Sequence, residues 1–153
     1  MKTGPMSRSL LAIFIFLLVL LNVNAVDSAQ TQTDFNGEWI GKGSDWSFVL
    51  NLKQEGGNIL GNYCGVALGG DRIDCNPESS GTYAVHGTSK SNGAEITFRT
   101  YYGEHMGAPN SNIGRAILTL RNGKEMKWIC VAGPENGWFF MPETMILKKQ
   151  RQK

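Results

Sequence analysis

The stretch from Asp34 to Gln54 constrains the fold more than any other part of the chain. In its second half Trp46, Phe48, Leu50 and Leu52 alternate strictly with Ser47, Val49, Asn51 and Lys53. Successive side chains of a strand point to opposite faces, so this period of two sets four bulky apolar groups on one side. One strand cannot shield them, and a sheet must curl over that side. Phe35, Gly37 and Trp39 are in step in the first half, which reads as a partner strand joined through the turn Gly41 to Asp45.

The rest of the chain repeats this unit. Glu55-Gly56-Gly57-Asn58, Ser89 to Gly93, Asn122-Gly123 and Gly133 to Gly137 are turn signals, because glycine and asparagine admit the positive φ that tight hairpins need. Between them the pattern predicts strands over Phe35–Lys42, Trp46–Gln54, Ile59–Val66, Thr82–Thr88, Ala94–Tyr101, Gly114–Arg121, Glu125–Ala132 and Trp138–Lys148. Pro142 interrupts the last of these, since proline has no N–H for a ladder. No stretch after residue 25 carries a convincing apolar period of about 3.6 residues. The expected fold class is all-β, an eight-stranded antiparallel up-and-down barrel over residues 35–148.

Residues 1–25 read as a signal peptide: Lys2 and Arg8 head the apolar run Leu10–Leu21, and Val23-Asn24-Ala25 offers a small-residue cleavage site. The run is shorter than the ~20 residues that span a bilayer, so no membrane span is expected. Residues 26–34 form a flexible polar leader and 149–153 a basic tail. Cleavage leaves 128 of the 153 residues, enough for one core, and removes two of the 15 basic side chains, leaving 13 against 13 acidic. A formal charge of zero gives no reason to expect nucleic acid as a partner. The expected location is extracytoplasmic, periplasmic or secreted. There Cys64 and Cys75 can close the Gly-rich segment between them as a disulfide, while Cys130, in phase with Met126 and Trp128, reads as a buried free thiol.

The phased residues give an inner set of Trp39, Trp46, Phe48, Leu50, Leu52, Tyr83, Val85, Ile96, Phe98, Ala116, Leu118, Leu120, Met126, Trp128 and Met145. An eight-stranded barrel is just wide enough to be filled by side chains or to hold one small ligand, and this apolar set fits either state. Gly37-Glu38-Trp39 at the head of the first strand resembles the Gly-x-Trp signature of the calycins, the lipocalin and avidin group. That resemblance implies a barrel plugged at one end by Trp39, with a basic residue late in the last strand, Lys148 or Lys149, packed across it. Gly37-Glu-Trp-Ile-Gly-Lys-Gly-Ser44 is similar to the first hairpin of avidins, differing by one residue in length and by Gly41 at a polar position. Trp46, Trp128 and Trp138 do not match the tryptophans of an avidin biotin site, so biotin binding is not implied. The first hairpin, with Tyr63-Cys64 and Arg72-Ile73-Asp74-Cys75, also resembles small exported bacterial proteins of uncharacterised function.

The chemistry-bearing residues are sparse. His86 and His105 are the two histidines, no metal-ligand spacing occurs, and no glycine loop is followed by a helix start that would hold a phosphate. Glu104-His105 beside Tyr101 and Tyr102 has the residue types of an acid–base pair, but neighbours within one loop seldom act as one. The expectation is no catalytic residue, no metal and no cofactor. Asp71, Arg72 and Asp74 in the cystine-closed segment are expected to pair locally or touch a partner.

The loops carry the better signal. Tyr101, Tyr102, Glu104, His105 and Met106 gather aromatic, acidic and sulfur groups in the longest interruption, and alternation cannot bury all of Trp138, Phe139 and Phe140. The expected function is a non-enzymatic binding protein that recognises another protein through these loops, as an inhibitor of an envelope or secreted enzyme or toxin. The competing expectation is a calycin-like carrier of a small apolar ligand.

Overall fold

Alternation by itself does not close a sheet; closure needs the first and last strands to pair. In the computed structural model, which describes residues 33–75, 82–100, 112–135 and 139–151, they do. The strands are β1 (Gly37–Lys42), β2 (Ser47–Glu55), β3 (Asn58–Ala67), β4 (Arg72–Cys75), β5 (Val85–Lys90), β6 (Gly93–Arg99), β7 (Ile113–Arg121), β8 (Glu125–Ala132) and β9 (Thr144–Lys149). Sequential neighbours pair antiparallel except β4 and β5, β5 pairing with β3 instead, and β1 bonds to β9 through Trp39↔Lys149 and Ile40↔Lys148. Eight strands thus form a closed barrel. The ninth, β4, is an addition: β3 is long enough to pair with β5 over Asn58–Gly61 and with β4 over Cys64–Ala67.

Strand β4 was not expected as a strand. It lies inside the segment between Cys64 and Cys75, which are direct register partners with a Cα–Cα distance of 4.0 Å and sulfurs joined as a disulfide. The last strand is also shorter than expected. Its ladder begins at Thr144, after Pro142, because proline cannot donate to β8. At the start of β5 the phase slips. Ala84 and Val85 are both buried, while Tyr83, expected inside, is 42% exposed. Trp46 and Leu120 of the expected inner set are partly buried at its edge, and Cys130 is a half-buried free thiol there.

The core holds Phe35, Trp39, Phe48, Leu50, Ile59, Tyr63, Val85, Ile96, Phe98, Leu118, Met126, Trp128 and Leu147, among others. Large rings fit because glycine faces some of them across the ladder. Gly114 pairs with Phe98, and a Cβ there would lie 2.2 Å from the phenyl ring. Between Arg115 and Ala116 the β7–β8 register shifts, so Val131 is the extra residue of a bulge and stands 50% exposed. No helix among the described residues is long and apolar enough to cross a membrane.

The registers give the barrel two unlike ends. At one, β2–β3, β5–β6 and β7–β8 join through the tight turns 56–57, 91–92 and 122–124. At the other, β3, β6 and β8 end and β5, β7 and β9 begin, separated in sequence by the longer connections 68–84, 100–112 and 133–143, and the β1–β2 turn lies there too.

Candidate functional site

The tight-turn end is sealed by the first described residues. Trp39 is fully buried, and its Nε1 donates to the Phe35 carbonyl at 2.9 Å. Phe35 N in turn donates to Gln54 Oε1 at 3.0 Å, Gln54 N donates to Asn36 Oδ1 at 2.7 Å, and the Thr33 hydroxyl bonds the Ser91 carbonyl. Lys149 Nζ lies 5.2 Å from the centre of a Trp39 ring and 3.0 Å from Asp34 Oδ2. Partial burial raises the Asp34 carboxyl's pKa, but hydrogen bonds from Lys149 and Asn36 outweigh it and hold the group below its ordinary value. This end is occupied by its own side chains. Asp34 is thereby tied to the barrel, although it ends the stretch read as leader, and β9 reaches Lys149, one residue into the stretch read as tail.

The opposite end is built differently. Rings from four strands converge there: Phe48 of β2, Tyr63 of β3, Phe98 of β6 and Trp128 of β8. Phe48 and Trp128 meet at a centroid distance of 5.2 Å, Phe98 and Trp128 at 5.3 Å, and Tyr63 and Phe98 at 5.8 Å. In each of these three pairs the rings come from strands that are not ladder neighbours, so the contacts cross the interior and fill it at this level. Phe139, from the irregular segment before β9, enters the group at 4.7 Å from Phe98, 6.0 Å from Trp128 and 6.2 Å from both Phe48 and Tyr63.

Polar groups support the rings. Tyr63 Oη donates to Asp74 Oδ2 at 2.5 Å, and both residues are buried. Burial, then the Asp74 carboxylate, pushes the Tyr63 phenol well above its ordinary pKa, so Tyr63 remains a neutral donor. The cystine beside this pair fixes β4 and therefore Asp74. Thr100 and Asn112, both buried, clasp the two ends of the 101–111 connection: Thr100 N donates to the Asn112 carbonyl at 3.0 Å and Asn112 Nδ2 to the Thr100 carbonyl at 3.2 Å. Among the described residues, the buried polar atoms Asn112 Oδ1 and Trp128 Nε1 have no hydrogen-bond partner.

Near these groups three large apolar side chains are exposed. Leu68 is 54% exposed, Ile73 53% and Phe140 40%. Arg72 carries its guanidinium 5.2 Å above the Phe140 ring, and Gly69 N bonds the Asp45 carbonyl at 3.1 Å, which draws the cystine segment toward the β1–β2 turn.

Among the residues expected to contact a partner, Tyr101, Tyr102, Glu104, His105, Met106 and Trp138 lie outside the described residues. Phe139 is partly buried against the core rings, and its neighbour Phe140 takes the exposed position. Asp74 pairs locally, with Tyr63. His86 is exposed, and its Nε2 donates to the Tyr83 carbonyl at 2.8 Å. Among the described residues no group of three or more His, Cys, Asp or Glu could hold a metal ion. Leu68 and Ile73 were not singled out from the sequence. Their signal is the apolar pair Val66-Ala67-Leu68 and Ile73 inside a cystine segment too short to bury both faces.

Comparison with protein-family models, with curated proteins and with solved structures finds no match. The class defined here is therefore structural: a closed eight-stranded antiparallel barrel with one extra, cystine-tethered strand.

Proposed function

We propose that this protein is an extracytoplasmic, non-enzymatic binding module whose long-connection end recognises another protein, as an inhibitor of an envelope or secreted enzyme or toxin would. One observation carries the reading: the exposed apolar side chains Leu68, Ile73 and Phe140 stand at the cystine-braced end from which the long connections leave. Large apolar side chains left exposed at one end of a fold are candidates for an interaction surface. The disulfide accords with an oxidising compartment, where such bonds persist. The leading segment 1–25, with its basic head and apolar run, supports the same location.

The rival reading, a carrier of a small apolar ligand inside the barrel, is weakened by ring contacts that run across the interior. Resemblance of the first strand to calycins favours neither reading over the other.

The test is capture of a partner from the protein's own compartment by the wild-type chain, by Leu68→Ser with Ile73→Ser, and by Tyr102→Ala with Glu104→Ala and His105→Ala. The proposal expects each multiple variant to lose capture, with Lys124→Glu at the opposite end as the unaffected control. Capture that survives both sets of changes contradicts it, and so does a small molecule released on denaturation with no protein held.

A further inference from the structure

A closed barrel has no sheet edge, because every strand in it has two neighbours. Strand β4 restores one. It lies beside β3 in addition to the ring of eight, and among the described residues no strand pairs with its other side. The bond from Cys64 to Cys75 pins it in place.

Which backbone groups face that open side follows from the registers. Gly43 N donates to the Trp46 carbonyl, so even-numbered residues of β2 bond β1 and odd-numbered ones bond β3. The β2–β3 ladder runs from Ser47↔Val66 to Glu55↔Asn58 without a slip. Even-numbered residues of β3 therefore bond β2, and odd-numbered ones turn to the strands on the far side. Ser89 N, donating to the Gly57 carbonyl from the β5 side, obeys the same parity. Gly65 and Ala67 thus bond Asp74 and Arg72, which leaves the N–H and carbonyl of Ile73 and of Cys75 pointing away from β3. The Cys64–Cys75 Cα–Cα distance of 4.0 Å agrees. Opposed residues that exchange no hydrogen bonds stand about 4.5 Å apart, and bonded ones about 5.5 Å. Among the described residues no other backbone bond reaches these four groups.

Natural sheets blunt such edges with lysine, proline or a short strand. Strand β4 is short, yet the residue that turns its backbone outward is Ile73, an apolar side chain 53% exposed. On the opposite face Arg72 lies over the Phe140 ring and makes no ion pair among the described residues.

We infer that the outer edge of β4 takes an extended segment of the protein partner as a further antiparallel strand, with a β-branched residue opposite Ile73 and an acidic residue opposite Arg72. An extended chain presents its own N–H and carbonyl groups at the same two-residue spacing, and cross-strand side chains add the selectivity. A second copy of this chain fits less well. Two β4 strands paired about Ile73 would set Arg72 opposite the other copy's Asp74, which is buried and already accepts from the Tyr63 hydroxyl. This inference rests on the reading of the long-connection end as the end that binds, and states how the partner is held there.

The test follows amide exchange and amide shifts in the whole cystine-intact chain labelled with nitrogen-15. In the free chain the Ile73 and Cys75 amides should exchange at least about tenfold faster than those of Arg72 and Asp74. The probe is the peptide acetyl-Thr-Val-Thr-Val-Glu-Thr-amide, whose second valine lies opposite Ile73 when its glutamate lies opposite Arg72. Saturation should shift and protect the Ile73 and Cys75 amides. Methylating the nitrogen of that valine removes the donor to the Ile73 carbonyl and should weaken binding roughly two- to tenfold. Lysine in place of the peptide's glutamate should weaken it about two- to fivefold. Ile73→Pro removes the outward N–H while keeping an apolar side chain and the β3 bonds of Arg72 and Asp74. It should lose both the peptide response and partner capture, whereas Ile73→Val keeps both. Should the proline variant not fold, the N-methyl peptide puts the same question from the ligand's side.

Ile73 and Cys75 amides already protected in the free chain, or unmoved by the peptide up to its solubility limit, overturn the inference. Equal binding of the N-methyl peptide does so too. Protection that rises with protein concentration in the absence of peptide overturns the partner strand in favour of a second copy. An unresponsive edge beside capture lost in Leu68→Ser with Ile73→Ser removes this inference and leaves the proposed function standing. A responsive edge, with capture lost in Ile73→Pro and kept in Leu68→Ser with Ile73→Ser, supports strand addition and removes the apolar side chains as the carrier of recognition.

Discussion

The two ends of the barrel solve the same problem, closing a ring of strands over apolar side chains, in opposite ways. At the tight-turn end Trp39 is buried with its N–H satisfied by Phe35, and Lys149 covers it while bonded to Asp34. At the long-connection end Trp128 is equally buried, yet among the described residues its N–H has no partner, and Phe139 packs against it by ring contacts. A satisfied plug serves stability. The other end, with exposed Leu68 and Ile73 near it, is the one proposed above to bind a partner.

This contrast can be broken by mutation, and the largest effect should come from the sealed end. Trp39→Ala leaves a cavity among fully buried neighbours and should cost about 3–5 kcal/mol in denaturant unfolding. Partner affinity of the fraction that stays folded should be unchanged. Replacing both Cys64 and Cys75 by serine should cost about 2–3 kcal/mol, since the bond closes a short loop. Hydrogen exchange should show the loosening concentrated in β4, and partner capture should fall with it because Asp74 and Ile73 lose their place. The disulfide would then matter to both stability and binding, which Trp39 would not.

Smaller effects separate the ends more cleanly. Leu68→Ser with Ile73→Ser should change stability by less than about 0.5 kcal/mol per site, as exposed positions do, while partner capture is lost. Lys149→Met at the sealed end should cost less than about 1 kcal/mol, because the Asp34 pair is half-exposed and the cation over Trp39 is not fully desolvated. Asp34 also gives a sign in pH. Its folded-state pKa is depressed, so its contribution is present above the ordinary carboxyl value near 3.8 and is lost as pH falls through the folded value. A pH series of unfolding midpoints should therefore show the wild type losing its advantage over Lys149→Met only in acid.

The architecture was legible because most of it is written with a period of two. Phe48, Leu50 and Leu52, then Ile96 and Phe98, then Leu118 and Trp128, stand inside as alternation requires. Alternation fails where a strand has not yet begun, which is why Tyr83 stands outside beside buried Ala84; Leu147, in phase with Met145 on β9, was missed. Ile59 was missed from the inner set for another reason: glycines at 61 and 65 follow it on the same face, and a face half made of glycine does not read as apolar.

The site was less legible than the fold. That Phe139 belongs with rings contributed by β2, β3, β6 and β8 follows from closure of the barrel, which brings together residues up to 91 positions apart, Phe48 and Phe139. No local pattern encodes such a distance. The exposed pair Leu68 and Ile73 was obscured by the cystine, which suggests a covalent clasp and says nothing of the strand it creates.

The most direct test of the central claim, that the two ends divide stability from recognition, is site-specific photocrosslinking in the producing cell. Ile73→p-benzoylphenylalanine places the probe on the long-connection rim and Lys124→p-benzoylphenylalanine places it on the tight-turn end. The account predicts a discrete protein adduct from position 73 and none from position 124. An adduct from position 124 alone, or the same adduct from both, would contradict it.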